Sequence, residues 1–111
     1  MEIDASESQI QKAVIDYLTT MGIFHWRSQP MPTPIFVQKK FMGMRKVNKK
    51  LKGMPDLMLI ANGKFVGIEF KSAKGKQRED QVRWEREINQ AGGTYILARS
   101  LDEVITLLKT L

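Results

Sequence analysis

The dipeptide Asn62-Gly63 separates two apolar runs, Asp56 to Ala61 and Lys64 to Lys71. It is a strong hairpin signal, because both central residues of a type I′ turn need positive φ. A two-residue turn fixes register. Ala61 then faces Lys64, Ile60 faces Phe65 and, counting outward, Asp56 faces Glu69. Directly opposed side chains have Cβ atoms about 4.5–5.5 Å apart, and like charges there are destabilising unless something compensates. Lys71, on the same face as Glu69 by strand alternation, is one compensator. A divalent cation is the other, since magnesium takes oxygen ligands. On geometry alone, a surface salt-bridge cluster and a metal site stand level.

The neighbours add detail. Val66, Ile68 and Phe70 alternate towards a core, leaving Gly67 as bare backbone on the Glu69 face, where glycine marks close approach. After a polar loop, a helix is expected over Gln77 to Ala91, ended by Gly92-Gly93. Gln77, Gln81, Trp84, Ile88 and Ala91 form one stripe, with Trp84, Ile88 and Ala91 read as core. Gln81 stands at the end nearest the strand. It is placed either to hold a water or phosphate oxygen or simply to cap the stripe near solvent.

The rest of the chain supplies a small domain. Ser6-Glu7-Ser8-Gln9 is a capping box opening a helix with Ile10, Ala13, Val14, Tyr17, Leu18 and Met21 at helical spacing, ended by Gly22. Ile23 to Arg27 reads as a strand, Thr94 to Ala98 as another. Ser100 to Glu103 is a second capping box, opening a helix with Leu101, Val104, Ile105, Leu107 and Leu108 on its apolar face. Residues 28–52 are read as a long exposed loop with one short strand around Ile35 to Val37. Pro30, Pro32 and Pro34 rule out a regular helix there. The expected order is α-β-loop-β-β-α-β-α, one domain over residues 1–111.

Charge narrows the partners. The formal net charge is +6, yet no Asp or Glu occurs between Tyr17 and Pro55, where Arg27, Lys39, Lys40, Arg45, Lys46, Lys49, Lys50 and Lys52 all lie. Such a patch attracts polyanions, phosphate backbones foremost; its plainer reading is a solvated lysine loop. There are no cysteines, so disulfides and cysteine-based zinc sites are excluded. His25 is the only histidine and is read as a packing or surface residue rather than a catalytic base, which leaves no Ser-His-Asp or Cys-His system. No apolar run reaches membrane-spanning length, and the first residues lack a signal-peptide pattern, so the expected location is cytoplasmic, the host cell of a virus included.

Pro55-Asp56 followed by Glu69-Phe70-Lys71 resembles the PD-(D/E)XK nuclease motif. With "GMPDL", the hairpin, "KSAKGKQREDQ" and "GGTYILARS", the chain looks like a stand-alone VRR-NUC (virus-type replication-repair nuclease) domain, from about Ser6 onward apart from the Pro/Lys-rich loop. The resemblance implies an α/β, restriction-endonuclease-like fold: a mixed β-sheet flanked by helices. It implies Asp56 and Glu69 as ligands of Mg²⁺ or Mn²⁺, joined by the Phe70 carbonyl. Lys71 would orient the attacking water or steady charge on the phosphate. Gln81 would be the family's helix glutamine, and Glu7 an acid reaching the metal directly or through water; Gln11, one turn on, is a weaker candidate. Lys39, Lys40, Arg45, Lys46, Lys49, Lys50, Lys52, Lys74 and Lys76 are candidate nucleic-acid contacts. The implied activity is metal-dependent, structure-selective cleavage of DNA such as Holliday junctions, by a homodimer with no membrane partner and no small-molecule cofactor. The rival readings are a non-catalytic DNA-binding module and a nuclease for flap or single-stranded DNA.

Overall fold

The computed structural model describes residues 5–28, 33–45 and 49–111. The elements are α1 (Glu7–Thr20), β1 (Phe24–Arg27), β2 (Thr33–Val37), β3 (Lys40–Arg45), a single 3-10 turn (Lys49–Leu51), β4 (Leu57–Ala61), β5 (Lys64–Phe70), α2 (Glu79–Gln90), β6 (Thr94–Ala98) and α3 (Leu101–Lys109). Four strands form the main sheet in the order β1-β4-β5-β6, antiparallel but for the β5/β6 pair. The α/β mixed sheet expected from the sequence is present. Parallel pairing of β5 and β6 needs a crossover, which α2 provides.

Local chemistry sets the helix ends. The Ser6 box is complete: its hydroxyl accepts from the Gln9 amide at 3.2 Å and the Gln9 side chain accepts from the Ser6 amide at 2.9 Å. Both α1 and α2 end in Schellman motifs, in which the Ile23 and Gly93 amides donate back to the carbonyls of Leu18 and Ile88, both at 2.9 Å. The second expected box is only half formed. Ser100 Oγ accepts from the Glu103 amide, but the Glu103 carboxylate turns to the Arg99 amide instead of Ser100. Helix α2 begins at Glu79, two residues later than the spacing predicts, because Gln77 is spent outside the helix on Tyr95 Oη at 3.2 Å.

One face of the sheet is closed by α1 and α3. Ile10, Val14 and Leu18 of α1, Leu57 and Leu59 of β4, Val66, Ile68 and Phe70 of β5, Ile96 and Ala98 of β6, and Val104 and Leu108 of α3 form the core. Each large apolar side chain buried there contributes about 1.5–3 kcal/mol. Leu107 stays exposed at the edge of the α3 stripe. The other face carries α2, which covers only β5 and β6. Of its expected core stripe only Ile88 is buried; Trp84 is half-buried and Ala91 exposed, since the β1/β4 half of this face has no helix over it. No helix among the described residues is long and apolar enough to cross a membrane.

The largest correction concerns residues 28–52. Instead of a loop with one short strand, β2 and β3 pair antiparallel as a separate two-stranded ribbon, with a bulge between Ile35 and Phe36. Its turn, Gln38-Lys39, has φ of 51° and 66°, so both residues adopt the backbone that Asn62-Gly63 adopts at 53° and 75°. Nothing in the residue types of Gln38-Lys39 announces such a turn. Pro34 is tolerated because β2 is an edge strand. Pro30, Pro32 and Lys46 lie outside the described residues, and only the backbone of Lys49 is described.

Candidate active site

The β4/β5 ladder follows the count from Asn62-Gly63: Ala61 pairs with Lys64 and Leu57 with Ile68. Asp56 lies one residue before β4. It is fixed there by the Ser28 amide, which donates to the Asp56 carbonyl at 3.1 Å, and by the Ser28 hydroxyl, which donates to the Pro55 carbonyl. Its side chain reaches across the strand end, where Oδ2 accepts the Phe70 amide at 2.9 Å. Pro55 is fully buried over Gly67, where an added Cβ would stand 2.9 Å from Pro55 Cγ and 3.3 Å from Ile88 Cδ1. The close approach signalled by Gly67 is therefore that of Pro55 and α2, not of a substrate.

Glu69 sits under α2. It is 2% exposed, with Gln81 at 3% and Lys71 at 9%. The acids do not lie at wet strand ends, as the hairpin alone suggests, and the surface salt-bridge reading does not describe them. Gln81 Nε2 donates to Glu69 Oε1 at 2.5 Å, while Gln81 Oε1 accepts the Arg78 amide at 2.9 Å. One side chain thus caps the first turn of α2 and holds the buried acid. Burial first, then the hydrogen bond and charge of Asp56, push the Glu69 carboxyl up to about 9; Lys71 and Arg78 oppose this. Lys71 compensates the carboxylate pair only in part. Its Nζ stands 4.0 Å from Glu7 Oε1 on α1, a half-exposed side chain.

These groups line one cleft of about 300 Å³, formed by Glu7, Ser8 and Gln11 of α1, Gly53, Met54 and Asp56 before β4, Glu69, Phe70 and Lys71 at the end of β5, and Arg78 and Gln81 at the start of α2. The Phe70 side chain is in the core, so the residue presents only backbone to the cleft. All of Glu7, Asp56, Glu69, Phe70, Lys71 and Gln81 are therefore brought together, and Gln11 with them. Among the described residues no group of three or more His, Cys, Asp or Glu side chains is gathered tightly enough to hold a metal by acids alone. The Asp56 and Glu69 side chains are within hydrogen-bonding reach of each other.

His25 is elsewhere. It lies on β1 with Nδ1 donating to the Ile23 carbonyl at 2.7 Å and does not line the cleft. Lys39, Lys40 and Arg45 are exposed on the β2/β3 ribbon, Lys50 and Lys52 on the segment leading back from it, and Lys74 and Lys76 on the loop after β5; none lines the cleft. The returning segment docks on α2, where Arg83 donates to the Lys50 carbonyl at 3.1 Å and Trp84 Nε1 to the Lys52 carbonyl at 2.9 Å. Gly53 then passes so close to Asp80 that a Cβ would lie 2.6 Å from its backbone carbon, at a φ of 87° that favours glycine anyway.

Two solved structures are similar in fold. One described as "VRR_NUC domain" superposes with a TM-score of 0.62 at 18% identity, covering 95% of this chain and 97% of its own. A second, "VRR_NUC domain protein", gives 0.59 at 18% identity, covering 96% and 88%. The chain has the VRR-NUC fold. No family model and no curated protein matches the sequence.

On this VRR-NUC fold, sequence reasoning missed one charged residue of the cleft, Arg78. It occupies the N-cap of α2 without a capping side chain, whereas α1 and α3 begin with capping serines. Its Nε is held by Asp80 Oδ1 at 3.3 Å. With the helix start placed at Gln77 there is no signal for it in the sequence, since Arg78 then falls inside the helix rather than at its cap.

Proposed function

We propose that the chain is a metal-dependent DNA endonuclease, hydrolysing phosphodiester bonds in branched DNA. The observation that carries this reading is the pairing of half-buried Asp56 with buried Glu69 in a cleft that also holds Lys71 and Gln81. A buried acid beside a second, half-buried one, with too little positive charge between them, suits a cation. The oxygen-only donor set, two carboxylates and the Phe70 carbonyl, suits Mg²⁺ or Mn²⁺. Glu7 is placed to act from the far wall. A bound divalent ion would supply Lewis-acid relief of charge on the phosphate and a more acidic water.

The chain's own groups prepare that chemistry. Asp56 is aimed by its bond to the Phe70 amide, and Glu69 by Gln81. Lys71 puts an ammonium into the cleft opposite Glu7, where it orients a water or steadies negative charge on the phosphate. A binding module without catalysis has no use for a buried acid of this cost with a second acid against it. A homodimer would present two such clefts related by a two-fold axis, which fits paired cuts across a four-way junction.

The test is cleavage of labelled four-way junction, flap, single-stranded and duplex DNA with Mg²⁺, with Mn²⁺ and with EDTA. Junction cutting that needs either metal supports the reading. Cutting of flap or single strands alone moves the substrate class, and no cutting of any DNA removes the enzyme.

A further inference from the structure

The β2/β3 ribbon is used by nothing so far described. It carries Phe36, Val37, Phe41, Met42 and Met44, each more than half exposed. Scattered exposed apolar residues need no explanation, but a cluster on one small element does. The ribbon packs essentially on itself, and its contacts to other elements are slight. The Cα radius of gyration is 16.2 Å, against ~13 Å for a compact chain of this length. The ribbon therefore projects as an arm. A two-stranded ribbon alone is marginally stable in water, so this one is built to meet a partner.

The register states what the arm presents. Phe36 pairs with Phe41 and Pro34 with Met44, so the two rings and the thioether share one face. The rings meet edge to face at 5.9 Å. Met42 is the extra residue of the bulge. Lys39 stands in the turn, and Lys40 and Arg45, opposite Val37 and Thr33, lie on the ribbon's other face. No acid occurs from Tyr17 to Pro55. Gln38 and Lys39 hold left-handed backbone without being Gly or Asn, at a cost of ~1–2 kcal/mol each. Strain of that kind persists where a particular shape is used.

We infer that the ribbon is a nucleic-acid wedge: Lys39, Lys40 and Arg45 take phosphates while Phe36 and Phe41, with Met42, stack on bases left unpaired or unstacked at a branch point. An aromatic face backed by basic groups offers bases a stacking surface and phosphates their counter-charge, and apolar wedges enter base steps that are already weakened. Continuous duplex offers the phosphates but not the base faces. The arm thereby supplies the preference for branched DNA that the cleft, with its polar lining, lacks. A second copy is the weaker occupant, because two basic ribbons with no acid in either repel each other. The inference rests on the reading of the chain as a DNA enzyme, but not on catalysis.

The experiment is therefore binding in EDTA, where nothing needs to be cut. The full chain is titrated into a four-way junction carrying 2-aminopurine at the branch and into a continuous duplex of the same length. Phe36→Ser/Phe41→Ser should weaken junction binding about tenfold or more, as loss of base stacking does, leave duplex binding within about twofold, and abolish the 2-aminopurine fluorescence change. Phe36→Tyr/Phe41→Tyr should restore both signals. Lys39→Gln/Lys40→Gln should weaken both DNAs alike. Thermal melting of the serine variant should match the wild type, since neither ring belongs to the core. Equal losses on both DNAs, or no loss on either, would overturn the wedge. So would sedimentation showing a wild-type dimer that the serine variant converts to monomer, because a second copy would then be what covers the rings. A chain that cuts no DNA with any metal still passes or fails this test on binding alone.

Discussion

Gln81 Nε2 donates to Glu69 Oε1 while Gln81 Oε1 accepts the Arg78 amide, so one buried amide ties the start of α2 to the acid at the end of β5. Groups that orient a metal-binding acid are worth about 10–100-fold in affinity or activity. Gln81→Ala is expected to lower kcat by that range and raise the Mn²⁺ concentration needed for half-maximal rate. Gln81→Glu should be worse than alanine, because it puts a third carboxylate against Glu69. Steady-state cleavage at varied Mn²⁺ checks both orderings.

The Glu69 carboxyl gives a pH signature in metal-free protein. Its folded pKa is pushed up to about 9 from an ordinary 4.5, by burial first and by Asp56 next. Folded protein therefore keeps a proton that unfolded protein has lost. The stabilisation is fully present below about pH 4.5 and is lost as pH rises through about 9. In EDTA, Tm should fall between neutral pH and pH 9. Glu69→Gln should flatten that fall while abolishing cleavage, and an equally steep fall in the variant assigns the pH dependence to other groups.

Arg78 exchanges a helix cap for a charge in the cleft. Arg78→Ser installs a capping residue, which is worth ~0.5–2 kcal/mol. The variant should melt several degrees higher and cleave more slowly, chiefly through a higher KM, because the cleft loses a positive charge that would draw in phosphate. Asp80→Asn, which loosens the Arg78 side chain, should show the same KM effect in weaker form. A variant that is both more stable and fully active would place Arg78 outside the site.

Gly67 is tied to Pro55 by contact. A methyl group added there would lie 2.9 Å from Pro55 Cγ. Gly67→Ala should destabilise the protein by ~1–3 kcal/mol through overpacking, and should lower activity beyond its effect on stability by shifting Asp56. Urea unfolding and cleavage at saturating metal separate the two effects.

Legibility in the sequence followed the physics of each segment. Asn62-Gly63 names its own turn, so the register of β4 and β5 and the convergence of Asp56 with Glu69 could be counted from residue types. Ser6 and Gln9 named the start of α1 in the same way. Gln38-Lys39 adopts the same turn from residues that do not favour it, so the ribbon was invisible. The burial of Glu69 was also hidden. Strand alternation shows that it faces away from Val66 and Phe70, but not that α2 closes over it. Trp84 and Ala91 have core-like spacing, yet α2 covers only half of its sheet face, and coverage is a tertiary property that periodicity does not carry. Arg78 became visible only once the helix start moved from Gln77 to Glu79.

Asp56, Glu69 and Lys71 are proposed to form a metal-dependent hydrolytic site. The most direct measurement is single-turnover cleavage of a four-way junction by wild type and Lys71→Ala at saturating Mn²⁺, with junction binding measured in parallel in EDTA. The account predicts cleavage by wild type only with metal, a loss of at least about 100-fold in Lys71→Ala, and junction affinity within about threefold of wild type. Full activity in Lys71→Ala, or equal wild-type cleavage in EDTA, would contradict it.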